Sequence, residues 1–184
     1  LFFSIQASAN PIKKINFIGL SFHSESSILE ILPFKIGQDF TSDISNKIIE
    51  NLFETGYFSD IKIIKDKDVL NINLTENPYI KYMDISIETG SGISAWLKNE
   101  KEFMTIDELN EYTDIKGLSA GSIYTQRKFS EFVDFLETKF LESGYYNVEI
   151  NSTPELDQQN KIGLLVNINQ GEKIKIESLK ISGS

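Results

Sequence analysis

The side chains that most often carry covalent chemistry are sparse in this sequence. It has a single histidine, His23, and no cysteine. Thiolate catalysis, disulfide frameworks and Cys-ligated metal sites are therefore excluded. A histidine-based metal site or a nucleophile–base triad lacks its parts. Asp and Glu together number 27, yet no spacing among them singles out an acid–base pair. Asp66 and Asp68 flank Lys67 between two apolar alternating runs, a place where turn chemistry explains them better than metal ligation. No glycine-rich loop follows a strand to cradle phosphate. The net charge of -9 and pI near 4.7 argue against a nucleic-acid surface, which needs Lys and Arg against phosphates. The acidity reads as solubility. No catalytic residue, metal or cofactor is expected.

The elements that would position any site come as an internal repeat. Ile44, Ile48, Ile49, Leu52 and Phe53 lie at helical spacing and are followed by Gly56-Tyr57-Phe58 and a strand carrying Ile61, Ile63 and Ile64. Phe129, Phe132, Val133, Leu136 and Phe140 do the same before Gly144-Tyr145-Tyr146 and a strand carrying Val148 and Ile150. Glycine just past a helix takes a left-handed conformation at little expense. Each helix is preceded by a glycine-x-x-aromatic turn, Gly37 to Phe40 and Gly121 to Tyr124. The two glycine-to-glycine spans are 19 and 23 residues, a difference of about one helical turn that keeps the buried face in phase.

Lys14 to Leu20 alternates as a strand, Ser26 to Leu32 is a short helix stopped by Pro33, and Leu70, Ile72 and Leu74 make a strand with one wet face. The order is β-α-α-β-β, ending at Glu76-Asn77-Pro78. It starts again with Met83, Ile85 and Ile87, and Thr105 to Glu108 has capping-box form. Strands are expected at Tyr145–Asn151 and Ile162–Asn169, joined by a polar loop containing Pro154. Lys173 to Gly183 looks like a third beginning, and the first-strand glycines fall at Gly19, Gly90 and Gly183. The apolar run Leu1 to Ile5, followed by Ala7-Ser8-Ala9, has the ending of a secretory signal peptide, or else is a short N-terminal strand. The expected organisation is a signal-peptide end at 1–9, a first domain at 10–78, a second at 79–171 with an insertion near 91–104, and the first strand of a third at 172–184.

These residues resemble a POTRA domain of the bacterial outer-membrane β-barrel assembly factors. The resemblance rests on Leu52-Phe53-Glu54-Thr55-Gly56-Tyr57-Phe58 running into a strand, on the exit Glu76-Asn77-Pro78-Tyr79-Ile80, on the opening strand Ile15 to Leu20, and on Gly171 before Ile174 and Ile176. It covers nearly everything after Asn10. It implies an α+β fold: tandem POTRA domains, each with a three-stranded mixed sheet and two antiparallel helices on one face. It also implies a periplasmic array ahead of a membrane barrel, handling unfolded outer-membrane proteins and docking accessory lipoproteins and periplasmic chaperones. Membrane contact would come only through the missing C-terminal barrel, and no nucleic acid is involved.

In the family the second strand lies at a sheet edge, where unpaired N–H and C=O groups can pair with an incoming extended segment. The implied client-binding edges are Phe58, Ser59, Asp60, Ile61, Lys62, Ile63, Ile64 and Lys65, and Tyr145, Tyr146, Asn147, Val148, Glu149 and Ile150. Lys62 and Lys65 serve equally as protection of that edge against aggregation. Tyr57-Phe58 and Tyr145-Tyr146 are expected to pack over the helix ends, with one ring of each pair free to sit outside. Trp96, in the candidate added helix Ser94–Phe103, is either part of a surface insertion or a docking anchor. Rival readings keep the fold and change the client to that of a two-partner secretion or other barrel-translocation protein, or make the domains a spacer that binds only folded partners.

Overall fold

The computed structural model describes residues 11–89 and 102–174. The expected signal peptide, Gly90, Trp96 and residues 175–184 lie outside that range. Of the candidate helix Ser94–Phe103 only Glu102 and Phe103 are described, and neither is helical. The chain divides into two compact units, Leu1–Asn77 and Pro78–Ser184.

In the first unit, β1 (Lys14–Ile18) leads to α1 (Glu25–Ile31), α2 (Ser42–Glu54), β2 (Phe58–Asp66) and β3 (Val69–Glu76). Leu32 leaves α1 in an extended conformation (ψ 133°), as the residue before Pro33 must. Thr41 caps α2 by accepting from the Ile44 amide at 3.3 Å, satisfying one of the free donors of the first turn. The sheet order is β1-β3-β2, with β1 parallel and β2 antiparallel to β3. Alternation puts Ile15, Phe17, Leu70, Ile72 and Leu74 on one face, buried together with Ile28, Ile48 and Leu52 of the helices. Both helices therefore cover the same face.

The second unit repeats the order: β4 (Tyr79–Glu88), α3 (Ile106–Ile115), α4 (Gln126–Glu142), β5 (Glu149–Leu156) and β6 (Lys161–Asn169). Its sheet is β4-β6-β5, again parallel then antiparallel. The capping box at Thr105 and Glu108 is formed, with the Thr105 amide donating to Glu108 at 2.8 Å and the Glu108 amide donating to Thr105 at 3.2 Å. The helices α2 and α4 have 13 and 17 residues, so the extra four residues of the second glycine-to-glycine span lengthen the helix. The repeat reaches the hydrogen bonds. The Gly37 amide donates to the Ile12 carbonyl at 2.7 Å, and the Gly121 amide donates to that of Ile80 at 2.7 Å. Ile12 and Ile80 donate in return to Gln38 and Ser122.

Two expectations for the second unit need correction. The strand expected at Tyr145–Asn151 begins only at Glu149 and runs to Leu156. Tyr145 through Val148 form a turn, because the Tyr145 amide donates back to the Phe140 carbonyl at 2.9 Å and holds the chain against the end of α4. Pro154 is not in a loop: it lies inside β5, opposite Leu164. β5 is an edge strand, where a missing N–H is tolerated.

Candidate functional site: two sheet edges and the latch behind them

β2 is the outer strand of its sheet, and among the described residues no strand flanks its far side. Its nine residues contain no proline. Phe58 and Ile61 point into the core and are buried, while Ser59, Asp60, Lys62, Ile64 and Lys65 are exposed and Ile63 is half-buried. A register shift between Phe58 and Asp60 marks a bulge, where the Ser59 hydroxyl donates to the Thr75 carbonyl at 3.2 Å. The edge available for an extended segment is therefore Asp60 to Asp66.

β5 is the outer strand of the second sheet. Of the residues singled out there, only Glu149 and Ile150 belong to the strand; Tyr145, Tyr146, Asn147 and Val148 precede it. Pro154 interrupts its row of donors. The two edges are unequal.

The aromatic pairs divide between inside and outside, in opposite order. Phe58 is buried and Tyr57 is half-buried, stacked on His23 with ring centroids 4.2 Å apart. Tyr145 is buried against Phe140 and Phe103, at 5.9 and 5.5 Å, whereas Tyr146 is 60% exposed. The glycines hold the expected turns: Gly56 and Gly144 follow the helix ends with φ of 71° and 93°. At Gly171 (φ 68°) a Cβ would lie 2.9 Å from the Asn147 carbonyl oxygen. The Pro78 carbonyl accepts from the Tyr124 amide at 2.9 Å, which ties the start of β4 to the turn before α4.

A latch behind the β2 edge was invisible to sequence reasoning. Glu76, the last residue of β3, is buried, and its carboxylate accepts from the backbone N–H groups of Ser21, Phe22 and His23 at 2.8, 2.9 and 3.0 Å. The His23 ring Nδ1 lies 2.8 Å from the same carboxylate, which can only accept, so Nδ1 carries the proton. Burial pushes the Glu76 carboxyl upward, but the His23 bond and the three backbone N–H groups together outweigh it and hold it below the ordinary glutamate value. The result is an anchored crossover after β1 and a stacked His23–Tyr57 pair beside Phe58. In the second unit Gln170 occupies the matching place, fully buried just past β6, and its amide oxygen accepts from the Phe103 amide at 3.0 Å. The signal that could have found the latch is the pairing of Glu-x-Pro with a lone histidine in the opposite crossover. Among the described residues, no group of three or more His, Asp or Glu side chains is placed to hold a metal ion, and no helix is long and apolar enough to cross a membrane.

The POTRA family model, described as a surface antigen variable number repeat, matches residues 11–77. The chain is 30% identical over its whole length to outer membrane protein assembly factor BamA of Buchnera aphidicola, and 25% identical over 94% of its length to that of Neisseria meningitidis. It spans only 28% and 20% of the length of those two proteins. The N-terminal domain of Omp85 from Thermosynechococcus elongatus superimposes with a TM-score of 0.52 at 16% identity, over 85% of this chain and 61% of that one. That likeness speaks for the fold alone. The family match falls on the first unit, and the second repeats its β-α-α-β-β order and hydrogen-bond pattern, so the chain is a tandem of two domains with the POTRA fold.

Proposed function

We propose that this chain is part of the periplasmic apparatus that assembles outer-membrane proteins, and that β2 receives extended segments of unfolded barrel precursors by main-chain pairing. The observation that carries the reading is the edge itself: a nine-residue, proline-free strand with no strand on its outer side among the described residues. Main-chain bonding gives affinity that tolerates many client sequences. The similarity to outer membrane protein assembly factors supplies the setting. Clients, accessory lipoproteins and periplasmic chaperones are the partners, at the periplasmic face of the outer membrane. No covalent step, metal or cofactor is required. β5, broken by Pro154 and flanked by Glu149 and Glu155, is the weaker edge.

Amide NMR titration of the chain with a peptide copied from a barrel strand tests this. Shifts concentrated on Asp60 to Asp66 are expected, with a Kd on the order of millimolar. The same peptide N-methylated at alternate residues keeps its side chains and loses one row of donors, and should bind at least about tenfold more weakly if one or two bonds go. No localised shifts at saturation would make these domains a spacer or a dock for folded partners.

A further inference from the structure

The open face of the second sheet is built differently from that of the first. On the face away from the helices, register aligns Tyr82, Gly163 and Glu155 in one row, Asp84, Leu165 and Thr153 in the next, Ser86, Asn167 and Asn151 in the third, and Glu88, Asn169 and Glu149 in the last. Tyr82 lies flat across Gly163, where a Cβ would meet its ring at 2.3 Å, and its hydroxyl reaches over the central strand to donate to Glu155 at 2.6 Å. This closes one end of a groove. The other end is set by Asn167, whose amide donates to Ser86 and Glu88 at 3.2 and 3.0 Å. Between them lies a cavity of about 310 Å³ with Leu165, 39% exposed, as its apolar floor and Asp84 and Thr153 as its walls. That volume is at the low end for a ligand site and suits one or two side chains of a peptide.

The charge on this face is predominantly negative. Asp84, Glu88, Glu149 and Glu155 lie on it, against a single cation at a strand position, Lys161 at the start of β6. Lys81, at the bulge, pairs with Asp157 at 3.5 Å. The first sheet is the control: its open face carries Lys14 and Lys62 beside Asp60 and Asp66, and an Asn16–Asn71 bond of 2.9 Å crosses its middle. Asp84 is level with Leu165, and Glu88 lies four residues further along β4, about 13 Å on an extended strand, so the two carboxylates stand beside and beyond Leu165 at peptide-length spacing.

We infer that this groove docks a segment of a partner protein in which an apolar side chain is flanked by lysine or arginine. The apolar group sits on Leu165, and the flanking cations meet Asp84, Glu88 and Glu155. Glu88 and Glu155 keep acceptor capacity for this, because a carboxylate offers about four lone-pair sites. The site is separate from the β2 edge and does not depend on strand pairing.

The probe is a capped pentapeptide of lysine, lysine, leucine, lysine and lysine, titrated into the full chain and followed by amide NMR. Shifts are expected on Asp84, Ser86, Asn151, Thr153, Leu165 and Asn167, weakening as ionic strength rises. Leu165→Ser should raise Kd about tenfold by removing the apolar floor. Asp84→Asn with Glu88→Gln should raise it about fivefold. All three side chains are on the solvent face, so the fold is retained, and unchanged shifts elsewhere verify that. The inference is overturned if a glutamate-for-lysine version binds equally, if shifts of equal size fall on the first sheet's open face or on Asp60 to Asp66, or if the variants leave affinity unchanged. Failure here leaves edge pairing at β2 intact, and failure of N-methylated peptides to discriminate at β2 leaves this site intact.

Discussion

Replacing Gly19 with alanine is expected to strip the first unit of hydrogen-exchange protection while leaving the second protected. Gly19 follows β1 with φ of 96°, a region that a side chain avoids. Its surroundings are tighter still: a Cβ there would lie 2.0 Å from the Leu74 carbonyl oxygen, a backbone atom of the central strand. A flexible side chain could swing away, but a strand carbonyl cannot. Alanine would force the end of β1 off β3, where Ile18 pairs with Asn73, and open the core around Leu74 and Phe17. Combined backbone strain and broken packing should remove about 3 kcal/mol or more. Gly37 is the control. It has nearly the same φ, 94°, but nothing within 4 Å of its Cβ position, so alanine there should cost only about 1–2 kcal/mol. Peptide-resolved exchange mass spectrometry separates the two. Equal losses at both sites would mean that the conformation, and not the Leu74 contact, demands glycine at position 19.

Features fixed by short-range chemistry were legible in the sequence. Glycine after an amphipathic helix, the Thr105 capping box and the glycine-x-x-aromatic turn each have a local cause, and each appears in the structure where its residues stand. The alternating runs Leu70–Leu74 and Ile162–Ile168 are strands, as one half-buried face predicts, and each lies at the centre of its sheet. What failed depended on contacts that residue types alone do not announce, some of them far along the chain. β5 starts four residues late because the Tyr145 amide is drawn to the end of α4, and that competition leaves no trace in composition. Pro154 reads as a breaker unless its strand is known to be an edge. Gly163 looks like a weak point in a central strand, yet it makes room for Tyr82 from the neighbouring strand. Glu76 fitted a sequence pattern as an exit residue, but Ser21, Phe22 and His23, which donate to its carboxylate, lie 53 to 55 residues away.

Glu76→Ala is expected to destabilise the first unit strongly and in a pH-dependent way. The substitution removes one carboxylate and leaves the N–H groups of Ser21, Phe22 and His23 without their acceptor, beside a buried site. An unsatisfied buried donor costs about 1–3 kcal/mol, and bonds to a charged acceptor are the stronger kind, so a loss of about 3 kcal/mol or more is expected even if water reaches part of the site. Glu76→Gln should lose about half as much, since one amide oxygen can still accept, as that of Gln170 accepts from the Phe103 amide in the second unit. The pH dependence follows from the depressed carboxyl. A group whose folded value lies below its unfolded one adds stability that is fully present above the unfolded value, about 4.3 for glutamate, and is lost as pH falls through the folded value. The wild-type first unit should therefore weaken in acid more steeply than Glu76→Gln, and the difference between them should shrink below pH 4. Urea titrations across that window, read by NMR signals of Tyr57 and Phe58, measure it. A constant gap between wild type and Glu76→Gln at every pH would show that the latch works through shape alone and that its charge contributes nothing.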